Sequence, residues 1–154
     1  MAHHCRIVSY VAITPRLAAA RPDAFRPDLA TSLHNQSNAL AGLGRREDAL
    51  AAITEAADVY RELAAILPVF RESLARSLTS FGIRLTEKRD FDAALSADRE
   101  SVAIYAALLS LDPQRYQDPL DGAVRNLATH LRDLGRGEQE IAEELDNLLS
   151  AHDD

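Results

Sequence analysis

Between residues 28 and 150, apolar side chains recur every three or four positions with charged and amide residues between them. This is the spacing of one face of an α-helix. In 28–43 the recurring residues are Leu29, Leu33, Leu40 and Leu43; in 47–67 they are Leu50, Ile53, Ala57 and Tyr60. The pattern predicts helices over about 28–43 and 47–67, again over 73–87 and 91–111, and again over 119–134 and 138–150. Start signals are Pro27 and the pair Asp118-Pro119, an N-cap residue followed by a first-turn proline. Gly44 and Gly135 are stop signals, because a residue without Cβ takes the left-handed conformation easily. The middle turn has Lys88-Arg89 instead, and should be less favourable by up to about 1 kcal/mol. Pro68 and Pro113 are expected to end the helices before them and to start the crossing to the next unit.

Shifted by 45 or 46 residues, the chain matches itself. Pro22, Pro68 and Pro113 fall in register, as do Leu29, Leu74 and Leu120, each with an aromatic four residues earlier: Phe25, Phe70 and Tyr116. Leu40, Leu85 and Leu131 follow the same register, as do Leu50, Leu95 and Ile141; Tyr60 matches Tyr105. Each unit reads as two helices, A and B. Neither helix can bury its apolar stripe alone, and stacking successive hairpins buries both.

Composition supports helices. Apolar residues make up 47% of the chain and aromatics 5%, with Ala and Leu dominant and Trp absent, whereas sheets favour β-branched and aromatic residues. The net charge is −7 and the two signs are interleaved, so no basic face for nucleic acid is expected. All basic residues but Lys88 are arginine. The single cysteine, Cys5, excludes an internal disulfide. The apolar stretch Ile7 to Ile13 is too short to span a membrane. A cytoplasmic protein is expected.

The residues resemble the tetratricopeptide repeat. In the first unit Leu33, Ser37, Leu40, Leu43-Gly44, Ala49-Leu50 and Ala56 fall where that family places its large, small and turn residues. Leu78, Gly82, Leu85 and Ala94 follow in the second unit, and Val124, Ala128, Leu131 and Gly135 in the third. The usual period is about 34 residues; here helix B and the connection after it are longer, as in the long arrays of actinobacteria and some fungi. The period also suits a HEAT or armadillo-like array, but the Leu-Gly turn followed by Ala favours the tetratricopeptide form. The resemblance implies an all-α superhelix, or solenoid, of about three hairpins (28–67, 73–111 and 119–150) within a repeat domain over 15–151. Glu140, Glu144 and Asn147 replace the small or apolar positions of the last helix B, which reads as a solvent-facing cap.

The stretch from Leu17 to Pro22 matches the end of a helix B whose helix A is missing, and Pro15 would break such a helix. Residues 1–14 therefore read as a remnant. Either the chain is cut from a longer array, or Ile7 to Ile13 docks on another copy to form a homo-oligomer.

No nucleotide-binding loop, nucleophile elbow or metalloprotease motif is present. His3, His4 and Cys5 form a metal-like cluster, but on a chain end without a fold to fix it. Cys5 lacks a held base. His34 and His130 read as surface or groove polarity. The carboxylates Glu138, Glu140, Glu143, Glu144 and Asp146 read as a charged helical face and not as a calcium cage. No catalytic residue, metal or cofactor is expected.

In this family the A helices line a concave groove. The resemblance then puts Thr31, His34, Asn35 and Asn38 in it from the first unit, Arg76, Thr79, Ser80 and Ile83 from the second, and Arg125, Asn126, Thr129 and Arg132 from the third. The amides can pair with a peptide backbone, and the arginines can bind carboxylates in a forked manner. Asn38 matches one position of the family's carboxylate clamp, but His34, Ser80, Gly122 and Asn126 depart from it, so chaperone-tail binding of that kind is not expected. The expectation is a non-catalytic scaffold for a protein or peptide, with an acidic segment as a suitable ligand. The alternative is a structural spacer or self-association segment of a larger signalling protein.

Overall fold

The computed structural model describes residues 22–151, and all regular structure among them is helical. The helices are α1 (Pro22–Gly42), α2 (Arg46–Ile66), α3 (Arg71–Glu87), α4 (Phe91–Leu109), α5 (Pro113–Asp133) and α6 (Glu138–Ser150), with a single 3-10 turn at Pro68–Phe70. They fall into two compact units that divide between Pro68 and Val69. The first holds the α1–α2 hairpin. In the second, the α3–α4 hairpin is followed by α5, which packs on α4, and by α6, which packs on α4 and α5.

The three A-to-B turns share one hydrogen-bond pattern. Arg45, Asp90 and Arg136 donate their backbone N–H to the carbonyls of Leu40, Leu85 and Leu131, at 2.9, 3.0 and 3.0 Å. One residue earlier, Gly44, Arg89 and Gly135 donate to Ala41, Thr86 and Arg132 at 2.9, 2.9 and 2.8 Å. This is the Schellman closure, which satisfies the last carbonyls of a helix. It needs a left-handed residue, and φ is 74° at Gly44, 65° at Arg89 and 78° at Gly135. Arg89 thus holds the glycine conformation despite its Cβ.

Two helices begin earlier than their proline signals suggest. Asp112, and not Asp118, caps α5: its Oδ1 accepts from the Arg115 N–H at 3.1 Å, with Pro113 in the first turn. Pro113 therefore opens a helix as well as closing a connection, and Pro119 lies inside α5. A proline there costs one backbone bond, but its fixed φ suits a helix. The buried face of Tyr116, Leu120, Ala123 and Leu127 holds the helix in place. Likewise α1 runs through Pro27, whose carbonyl accepts from the Thr31 hydroxyl at 2.9 Å.

In the first unit Ala30, Leu33, Ala49, Ile53, Ala56, Ala57, Tyr60 and Leu63 are buried. Full burial of a side chain such as Ile53 stabilises by about 1.5–3 kcal/mol. Ala49 has no exposed surface, and Ser37 donates its hydroxyl to the Ala49 carbonyl at 2.7 Å, so the two helices meet at small residues. In the second unit the core gathers Leu95, Val102, Tyr105, Leu120, Leu127, Leu131 and Ile141. Ile141 is the sole buried residue of α6; Glu140 and Asn147 are exposed and Glu144 is half-buried.

The readings made for residues 1–14, for the His3, His4 and Cys5 cluster and for the truncated hairpin before Pro22 lie outside the described residues. Among the described residues, no helix is long and apolar enough to cross a membrane.

Candidate functional site

The A helices carry the twelve positions expected to meet a ligand. In the first unit, on α1, Asn35 and Asn38 are exposed and His34 is half-buried. Thr31 is turned toward its own hairpin, with its hydroxyl 2.7 Å from the Tyr60 hydroxyl of α2.

In the second unit, on α3, Arg76 is exposed, whereas Thr79, Ser80 and Ile83 are half-buried. Thr79 donates to the Ala75 carbonyl at 3.1 Å and meets the Ser101 hydroxyl at 2.8 Å. Its polar group is used inside the α3–α4 hairpin. On α5, Arg125, Thr129 and Arg132 are exposed and Asn126 is half-buried. Thr129 donates back to the Arg125 carbonyl at 2.8 Å. Arg132 forks onto Glu138, with contacts of 2.6 and 2.9 Å. These bonds hold the Glu138 carboxyl below its ordinary range and the Arg132 guanidinium above its own.

Arg76 and Arg125 make no ion pair among the described residues, whereas Arg84, Arg99, Arg115 and Arg132 of the same unit all do. Arg76 instead acts on the buried Tyr105 phenol. Burial pushes Tyr105 up to about 12, and the Arg76 charge offsets part of that rise. Nearby, Glu72 accepts from Arg115 at 2.5 Å and from the Tyr116 hydroxyl at 3.2 Å, and the Arg115 guanidinium lies 5.2 Å from the Tyr116 ring centre. Burial, and then Glu72, raise the Tyr116 phenol.

The expectation for His130 is corrected by the structure. It is 7% exposed, and its Nδ1 lies 2.5 Å from the carboxylate of Asp98 on α4. On the other side of the ring, Nε2 lies 3.1 Å from the Thr86 hydroxyl of α3. Gly82 makes room for this group: a Cβ there would come within 2.3 Å of Asp98 Oδ1. Asp98 stands where the first unit has Ile53, one period of 45 earlier. A carboxylate on an apolar stripe, opposite a glycine, is the signal that composition and periodicity passed over.

The order carboxylate, imidazole, hydroxyl is that of a hydrolase triad, but the protons are arranged differently. Thr86 donates its one hydroxyl proton to the Gly82 carbonyl at 3.0 Å. Its contact with Nε2 then requires the ring to donate. In that state the ring donates at Nε2 and is no base for the hydroxyl.

An open recess of about 470 Å³ lies between α4 and α6, lined by Arg99, Arg136, Glu140, Glu143, Glu144, Asn147 and Leu148. The Arg99–Glu144 pair, at 2.6 Å, is part of its lining. Among the described residues no three His, Cys, Asp or Glu side chains are grouped to hold a metal ion.

A family model described as tetratricopeptide repeat matches residues 29–64 and 74–115. The first match covers most of α1 and α2, and the second runs from α3 through α4 into the start of α5. Searches of curated proteins and of solved structures found no match. The matched segments amount to just over half of the 154 residues and coincide with two hairpins closed by the same turn, so the chain belongs to the tetratricopeptide repeat family.

Proposed function

We propose that the chain is a non-catalytic binding scaffold that takes an acidic peptide segment, or a C-terminal carboxylate, on the outward faces of α3 and α5. Tetratricopeptide repeats are in general protein-interaction scaffolds. The observation that carries the finer reading is the pair Arg76 and Arg125. Both are exposed on A helices and make no ion pair among the described residues, in a chain of net charge −7. None of the twelve candidate positions is acidic. Such a guanidinium offers forked hydrogen bonds to a carboxylate. In the first unit, taken by itself, Asn35 and Asn38 of α1 offer amides to a peptide backbone.

The test is a titration of the 15N-labelled chain with an acidic peptide of about ten residues, followed by amide shifts. Shifts should cluster on α3 and α5. Arg76→Ala and Arg125→Ala should each weaken binding by up to about tenfold at low salt, or about 1.4 kcal/mol, without changing the melting temperature. Shifts scattered over the chain, or binding indifferent to both substitutions, would leave the spacer reading in its place.

A further inference from the structure

We propose that Asp98, His130 and Thr86 form a proton-dependent latch that fastens α5 to the α3–α4 hairpin. The three residues come from three helices: Thr86 from α3, Asp98 from α4 and His130 from α5. Asp98 and His130 are 32 residues apart, and Thr86 and His130 are 44 apart. Asp98 is 1% exposed and His130 is 7% exposed, so water cannot readily replace either partner. The contact is built into the packing, because only a residue without a side chain at position 82 leaves room for the Asp98 carboxylate.

Counting protons defines the latched state. A carboxylate accepts from Nδ1–H, and Thr86, having donated to the Gly82 carbonyl, accepts from Nε2–H. With Asp98 ionised, all three bonds form together only when the ring carries both protons and is an imidazolium. If the ring loses one, Thr86 has a single proton for two acceptors, Nε2 and the Gly82 carbonyl. One bond is lost, and Asp98 keeps a buried negative charge without its counter-charge.

The surrounding charges favour the protonated ring. The hydrogen bond to Asp98 raises the His130 value above that of an ordinary imidazole; burial opposes this, and the charges of Asp98 and of Asp133 on α5 add to the rise. From α3, Arg84 is paired with Glu87 at 2.6 Å. Arg99 of α4 is paired with Glu144 of α6, and Glu138 of α6 with Arg132 of α5. A group held more tightly by the folded chain stabilises it fully below the unfolded value, near 6.5 for histidine. That contribution fades as pH rises through the higher, folded value. The latch is therefore closed in mild acid and opens toward alkaline pH. The latch stands apart from the proposed binding of a partner.

The experiment follows the full chain by NMR across pH 5.5–9. It records the His130 ring titration, assigned with His130→Gln, and amide hydrogen exchange corrected for its intrinsic pH dependence. The ring should titrate above 6.5. Protection of α5 and α6 should fall several-fold through that transition, while α1 and α2 stay level. Asp98→Asn should return the ring to an ordinary or lower value and flatten the pH response of α5 and α6. Should that variant fail to fold, the unsubstituted chain decides alone. A His130 ring titrating at or below 6.5, or equal loss of protection in α1–α2 and α5–α6, would overturn the proposal.

Discussion

The α1–α2 and α3–α4 hairpins follow one register but fill their interiors differently. Two turns into helix B, the first buries Ile53 and the second buries Asp98. Opposite these, the first has Ser37, bonded to the Ala49 carbonyl, and the second has Gly82. The backbone does not record the exchange: the Leu40 and Leu85 carbonyls accept the same closing bond in both hairpins. The repeat geometry is thus set by turns and by small residues at helix crossings such as Ala49 and Ala94. One interior position can change from hydrocarbon to ion pair, provided the opposite residue shrinks and the next A helix supplies the counter-charge.

The strongest way to break this comparison is to remove half of the pair. His130→Ala leaves the Asp98 carboxylate buried alone and should cost about 3–5 kcal/mol in urea unfolding. Replacing both members by hydrocarbon, with Asp98→Ile and His130→Leu together, should be neutral or stabilise by about 1–4 kcal/mol. A cost in the double variant close to that of the single would mean that the site is not an exchangeable slot.

Next in size is the glycine. Gly82→Ala puts a Cβ against Asp98 Oδ1 and should cost about 1–3 kcal/mol, as overpacking does. In an Asp98→Ile background that cost should differ, since the two residues share one space. The smallest effect concerns the turns. Arg89→Gly relieves a left-handed non-glycine residue and should stabilise by up to about 1 kcal/mol, whereas Gly44→Ala should destabilise by about 1–2 kcal/mol. Thermal melts of the two variants should shift in opposite directions.

Much of the fold could be read from residues in register. Leu40, Leu85 and Leu131 recur one period apart at the position whose carbonyl closes each turn, and the glycines at 44 and 135 announce the conformation that turn needs. Helix starts were harder to read. Pro27 and Pro119 suggested first turns but lie within helices, because a single missing N–H is outweighed by the apolar face that continues before it. The candidate surface was legible in part. Position along a helix predicts which side chains share a face, and Asn35, Asn38, Arg76 and Arg125 are exposed. It does not predict which polar groups find partners nearby, so Thr31, Thr79 and Arg132 looked freer than they are. The Asp98–His130 contact joins residues 32 apart on successive helices, and no local pattern reports it.

If the Arg76 and Arg125 guanidinia select an acidic partner, reversing their charge should reverse the choice of peptide. Fluorescence anisotropy of two labelled peptides of equal length, one rich in Glu and one rich in Lys, would be measured against the native chain and an Arg76→Glu, Arg125→Glu variant. The native chain should take up the acidic peptide only, and the variant should lose it and gain the basic one while its helical circular dichroism and melting temperature stay unchanged. Equal binding of the acidic peptide by both proteins would contradict it.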